Sequence, residues 1–172
     1  MKYFYFSSNL NYQDNLLRYK DKSIIIYNEL KSVNEKKLIK LREICKSKNI
    51  KFYIINDIKF AFKYRADGLV ITSDNKSIIH NFNKRIVRIG IVHNQREYYE
   101  KKQQKCDYIF LSPIFLNKKY SVNKMLGILK FNLISLNWKI DLCALGGINE
   151  SNIKKINITK ASAIAFQRYI TK

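Results

Sequence analysis

Proline occurs once and glycine five times in this chain. No Gly-rich turn follows the first apolar strand, which argues against a doubly wound nucleotide-binding sheet. Histidine is as scarce. His80 and His93 stand apart, without the HxxxH or HExxH spacing of a histidine metal site. The three cysteines, Cys45, Cys106 and Cys143, are odd in number and distant, giving neither a disulfide framework nor a zinc site. They read as reduced, buried thiols. No apolar run approaches the roughly 18 residues of a membrane span. The N-terminal MKYFYFSSNLNYQDN turns polar after six residues and has no small-residue cleavage site. A cytoplasmic location is the expectation.

Acidic residues are also few, 13 against 33 lysines and arginines, for a formal net charge of +20. A basic surface attracts polyanions. The lysines, however, scatter through KSVNEKKLIKLR, NKSIIHNFNKR, EKKQQK and NESNIKKINITK instead of forming a stripe. No RRM, KH or helix-turn-helix signature accompanies them, so nucleic acid is not the expected partner. The same charge suits a site for small phosphorylated ligands. With 47% hydrophobic and 27% charged residues, the 172-residue chain has the balance and size of one globular domain spanning residues 1–172.

What is present is an alternation. Apolar, β-branched or aromatic runs begin at Lys2 (KYFYFS), Ser23 (SIIIYN), Ile50 (IKFYII), Gly68 (GLVIT), Ile86 (IVRIGIV), Asp107 (DYIFL), Asp141 (DLCAL) and Ser162 (SAIAF). Such near-continuous runs are expected of strands buried on both faces of a parallel sheet. Helix-length spacers separate them at seven junctions, with helices expected over 34–48, 57–64 and 95–104. Leu38, Leu41, Ile44 and Cys45 mark the apolar face of the first. Eight strands joined by helical crossovers predict an α/β fold, a compact (β/α)8 TIM barrel. The chain ends just after the eighth strand, so the last outer helix is expected to be short or absent.

The residues then resemble a known family. IINDIKFAFKYRADGLVITSDN is similar to a pattern I-N-D-x-x-x-x-A-x-x-x-x-A-D-G-V-H-L-G-Q-x-D. RIGIVHNQREYYEKKQQKCDYIFLSPIF resembles IG-S/T-x-H-x-x-x-E-x-x-x-A-x-x-x-x-x-DY-x-x-x-GP. LGILKF and CALGGINESNI match LG-x-x-x-L/F and A-I/L-GGI-x-x-x-N. These patterns belong to the thiamine phosphate synthase and TenI family, and the agreement runs from about Ile54 to Ile170. All five glycines (Gly68, Gly90, Gly127, Gly146, Gly147) and the single Pro113 fall on its positions. The resemblance implies a (β/α)8 barrel with ligands at the C-terminal ends of the strands. Synthase members join a pyrimidine pyrophosphate to thiazole phosphate with Mg²⁺ assistance. TenI-type members isomerise the thiazole phosphate.

Carried onto this chain, the resemblance makes Asp57 a Mg²⁺ ligand and Asn56 a contact to the pyrimidine; read from residues alone, Asp57 is a helix cap. The second metal carboxylate falls on Asn75, with Asp74 one residue early, so either the loop shifts to present Asp74 or that ligand is lost. The Q-x-R-x-K that grips diphosphate is replaced around Ile25–Glu29. Its T-x-S/T-K loop becomes Asn117-Lys118-Lys119-Tyr120, where Lys118 or Lys119 supplies the cation or is a surface lysine. Gly146 and Gly147 match the glycines whose amides bind thiazole phosphate. After the eighth strand the family's I/M-S-G/A is Gln167-Arg168-Tyr169. There Arg168 either replaces backbone donors or blocks the site. His93 falls on a histidine that is the acid–base residue of the TenI type, or it is structural. The expected activity is synthase-like. A thiazole tautomerase, a non-catalytic phosphate-ligand binder and a basic nucleic-acid-binding protein are the alternatives.

Overall fold

The computed structural model describes residues 1–7, 22–26, 35–78, 86–116 and 125–166, with the backbone alone for 22–26. Eight parallel strands close into a barrel in chain order. They are β1 (Lys2–Ser7), β2 (Lys22–Ile26), β3 (Lys51–Ile55), β4 (Gly68–Ile71), β5 (Val87–Val92), β6 (Tyr108–Leu111), β7 (Asp141–Leu145) and β8 (Ala163–Phe166). Closure comes from β1 pairing with both β2 and β8, with Phe4 level with Ser23 on one side and Ala165 on the other. Each expected strand is found, its ends within two residues of the expectation.

Outside the barrel lie α1 (Glu35–Ser47), α2 (Ile58–Lys63), α3 (Gln95–Gln103) and α4 (Gly127–Ile134). The apolar face of α1 is buried through Leu38, Leu41 and Cys45. One described spacer differs from the helical expectation. Between β7 and β8 the chain forms a 3-10 turn, Ile153–Ile158, because its Asn, Ile and Thr are weak helix formers. After β4, residues 72–78 run without a helix. The stub expected after β8 lies outside the described residues.

Alternation along the strands divides the apolar residues into two layers. Phe4, Phe6, Tyr53, Ile55, Val70, Ile89, Phe110, Cys143, Ala163 and Ala165 fill the interior. Phe52, Ile54, Leu69, Ile109, Leu111 and Ile164 face the helices instead. Large rings from β1, β3 and β6 meet small residues from β7 and β8, so volume is shared around the barrel. The Phe4 ring contacts Phe110 edge-on at 4.9 Å and Tyr53 at 6.0 Å. Gly68 leaves room for Tyr53, whose ring a Cβ on Gly68 would strike. Phe4, Phe6, Tyr53 and Phe110 are therefore barrel filling, while Phe52 and Phe166 pack between the strands and the outer layer.

The N-terminal rim is tied by two aspartates. Asp67 accepts from the Phe52 amide at 2.9 Å and pairs with Arg42 at 3.3 Å; Asp107 accepts from the Arg88 amide at 2.7 Å. These ties serve stability, since chemistry in such barrels sits at the other rim. Phe110→Ala is expected to lower the unfolding free energy by about 3–5 kcal/mol, through lost burial and the cavity left behind. Leu129→Ala, at a side chain 74% exposed, should change it by less than about 0.5 kcal/mol. Urea unfolding followed by the single tryptophan, Trp138, measures both. Equal losses would contradict the assignment of Phe110 to the interior.

Candidate active site

Because every strand runs the same way around a closed barrel, the residues that follow the strands share one rim. Asn56 and Asp57 follow β3, Thr72 to Asn75 follow β4, His93 follows β5, Pro113 follows β6 and Gly146–Gly147 follow β7. The half-buried Ile91 and Leu145 lie just beneath them on β5 and β7.

Asn56 sits in the left-handed region at φ 57°, which asparagine tolerates better than most residues. Its amide nitrogen donates to Thr72 Oγ1 at 2.7 Å, and its Oδ1 accepts from the Thr72 backbone at 3.0 Å. Asn75 Nδ2 donates to the same oxygen at 3.2 Å. Asn56 is thus held from the β4 side of the rim. Asp57 caps α2: its Oδ1 accepts from the Phe60 amide at 2.8 Å. The second oxygen takes no hydrogen bond from any described group. Asp74 is exposed, and the Thr72 side chain and its own amide hold its carboxyl below the usual aspartate value.

His93 is oriented by a carboxylate. Its Nδ1 lies 3.0 Å from Glu97 Oε2, and its backbone amide donates to the same oxygen at 2.7 Å. Asn94 caps α3 by accepting from the Glu97 amide at 3.0 Å, and its Nδ2 donates to Glu97 Oε1 at 2.8 Å. The arrangement is a variant of a capping box in which Glu97 accepts from the His93 amide, one residue before the N-cap. The contact fixes Nδ1 and with it the orientation of the ring.

Gly146 and Gly147 take φ of 94° and 71°. Behind Gly147 there is no room for a side chain, since a Cβ would strike the Phe115 carbonyl. Gly146 and Phe115 are joined by the Phe115 amide donating to Gly146 O at 3.1 Å, and Asn152 Nδ2 donates to Gly147 O at 2.9 Å. Carbonyls are therefore satisfied within the fold, while neither glycine amide donates to any acceptor among the described residues. Two adjacent amides thus stay without an internal acceptor, on a backbone that carries no side chain of its own.

A family model described as thiamine monophosphate synthase matches residues 11–170. The chain belongs to that family. A thiamine-phosphate synthase of Staphylococcus haemolyticus is 30% identical over 145 residues, 78% of this chain and 68% of the relative. One of Pelagibacter ubique is 27% identical over 173 residues, 94% of this chain and 83% of the relative. Among solved structures, a thiamine phosphate pyrophosphorylase from Pyrococcus furiosus superposes with a TM-score of 0.75 at 18% identity, covering 95% of this chain and 83% of that one. One from Bacteroides thetaiotaomicron reaches 0.63 at 17% identity, covering 96% and 82%. At such identities the structures speak for the barrel alone.

Within this thiamine monophosphate synthase family member, the rim brings together Asn56, Asp57, Asp74, Asn75, His93, Gly146 and Gly147. Lys118, Lys119, Gln167 and Arg168 lie outside the described residues, as do Tyr27–Glu29 and Asn117–Tyr120. The donors for Mg²⁺ can be tested directly. No three His, Cys, Asp or Glu side chains converge among the described residues. Mg²⁺ commonly takes one or two carboxylates, with waters and substrate phosphates completing its octahedron. The second oxygen of Asp57 fits that role, and exposed Asp74 has the right chemistry. Asn75 fits poorly, because its amide oxygen already accepts from the Ser77 amide at 3.0 Å.

Sequence reasoning missed Glu97 and Thr72. The spacing Asn94-x-x-Glu97 was visible as a cap signal, but nothing in it announced that the carboxylate would also hold His93. Glu97→Ala is expected to cost about 1 kcal/mol of stability, through the lost carboxylate acceptors of the His93 amide and the Asn94 side chain. His93→Ala should cost less, since the backbone bond to Glu97 remains. Urea midpoints at unchanged slope measure both; a larger loss for His93→Ala would contradict the geometry.

Proposed function

We propose that the protein is a thiamine-phosphate synthase-type transferase of thiamine biosynthesis. It holds thiazole phosphate at Gly146–Gly147 and joins it to a hydroxymethylpyrimidine diphosphate. The thiazole nitrogen forms the new bond to the pyrimidine methylene, the methylene–oxygen bond breaks, and pyrophosphate leaves. The observation that carries this reading is the pair of unspent glycine amides at the end of β7, in a chain of the right family. The loops after strands seven and eight are where such barrels hold phosphate.

Asn56, fixed in one orientation by Thr72 and Asn75, contacts the pyrimidine. Asp57 would hold Mg²⁺, which neutralises charge on the departing diphosphate when bound. Lys118 and Lys119 supply further positive charge, while Gln167 and Arg168 complete the monophosphate site. The setting is cytoplasmic, with all three thiols reduced. Burial pushes the Cys45 and Cys106 thiols up to about 11 and about 12, so neither is a thiolate nucleophile near neutrality.

One observation favours a second reading. The imidazole–carboxylate pair His93–Glu97 has the form of a proton shuttle, which a TenI-type thiazole tautomerase requires. Incubation with both substrates and Mg²⁺ separates the two. The synthase reading expects thiamine phosphate and pyrophosphate in equal amounts, and a loss of roughly 10–100-fold in Asp57→Ala, the worth of one charge-assisted contact. Isomerised thiazole phosphate without coupled product, abolished by His93→Ala, would replace it with the tautomerase. Neither product would leave a phosphate-ligand binder.

A further inference from the structure

We infer that Lys101 is a positioning residue for the pyrimidine half of the site, acting through Asn75 on Asn56; this rests on the reading of Asn56 given above. Lys101 lies on the outer helix α3, not on the rim, and its side chain is 0% exposed. Helical side chains lean toward the N-terminus of their helix. Here that direction carries the ammonium up toward the rim, past Gly90. The stem lies so close to Gly90 that a Cβ there would come within 2.7 Å of Lys101 Cγ. Glycine at that place is what lets the lysine through.

The ammonium ends on the loop after β4. Its Nζ donates to the Asn75 carbonyl at 2.7 Å. Gln104 Nε2, one turn further along, donates to the same carbonyl and to that of Ser77, both at 2.9 Å. The Asn75 side chain then reaches inward to Asn56 Oδ1. A continuous set of hydrogen bonds thus runs from the outside of the barrel to the mouth, ending on an asparagine held in a left-handed conformation.

The energetics make a merely structural role a poor explanation. No carboxylate among the described residues forms an ion pair with Lys101. Burial pushes its ammonium below the usual lysine value, which is the mark of a charge that opposes folding. A methionine would fill the same channel over Gly90 without that penalty, and Gln104 would still satisfy the Asn75 carbonyl. Stability alone therefore does not favour lysine here. Precise placement of the loop does.

Lys101→Met tests this, with thermal melting, calorimetric titration of each substrate separately, and amide hydrogen exchange at Thr72, whose N–H is bonded to Asn56 Oδ1. The expected result is a melting temperature equal to or above wild type. Affinity for the hydroxymethylpyrimidine diphosphate should fall about tenfold, thiazole phosphate affinity should be unchanged, and Thr72 exchange should be several-fold faster. In an Asn75→Ala background the same substitution should do nothing further. Unchanged pyrimidine affinity, or a parallel fall for both substrates, would overturn the inference. So would Thr72 exchange equal to wild type, which decides the coupling whatever binds. Wild-type protein that binds neither substrate would instead overturn the reading of the site.

Discussion

Pairing of β1 with β8 closes the sheet, and the site follows from that closure. An open parallel sheet would place its strand ends along a line; a closed one gathers them into a ring. Residues from β3, β4, β5, β6 and β7, separated by up to ninety positions in the chain, become neighbours on one rim. Closure in turn depends on what the interior can hold. Phe4, Phe6, Tyr53 and Phe110 leave space only because Cys143, Ala163 and Ala165 are small. Enlarging the β7 or β8 residues would compete directly with the rings of β1 and β6.

On the proposed function, the two halves of the ligand site rest on different physics. At Gly146–Gly147 the donors are backbone amides, held in place by Phe115 and Asn152. Drift of side chains in evolution does not remove such donors; only loss of the glycines would. A diphosphate half, on the same reading, would rely on side-chain charge, and the resemblance puts Glu29, Asn75 and Asn117–Tyr120 at places where it implies other residues. Asn75 illustrates the change. Its amide braces the loop, one end on Ser77 and the other on Asn56.

Much of the fold was legible because a strand buried on both faces leaves a continuous apolar signature. DLCAL and KYFYFS could hardly be anything else, and their bounds agree with β7 and β1. Asp57 was readable as a cap, and the structure uses one of its oxygens so. The 3-10 turn after β7 was less visible, since NIKKINI has helical length without helical propensity. Lys101 was invisible. On an exposed helix rich in lysine, nothing local distinguishes the one lysine whose stem passes over Gly90 from its solvated neighbours Lys102 and Lys105. The His93–Glu97 contact combined two local signals whose meaning appears only together.

The central claim is that the backbone at the end of β7 holds a monophosphate. With only five glycines in the chain, their amide resonances form a small, readable set. Titration of thiazole phosphate into ¹⁵N-labelled protein measures the claim directly. Saturable shifts are expected at Gly146 and Gly147, with Gly68 and Gly90 unmoved. Saturable binding that leaves Gly146 and Gly147 where they were would contradict it.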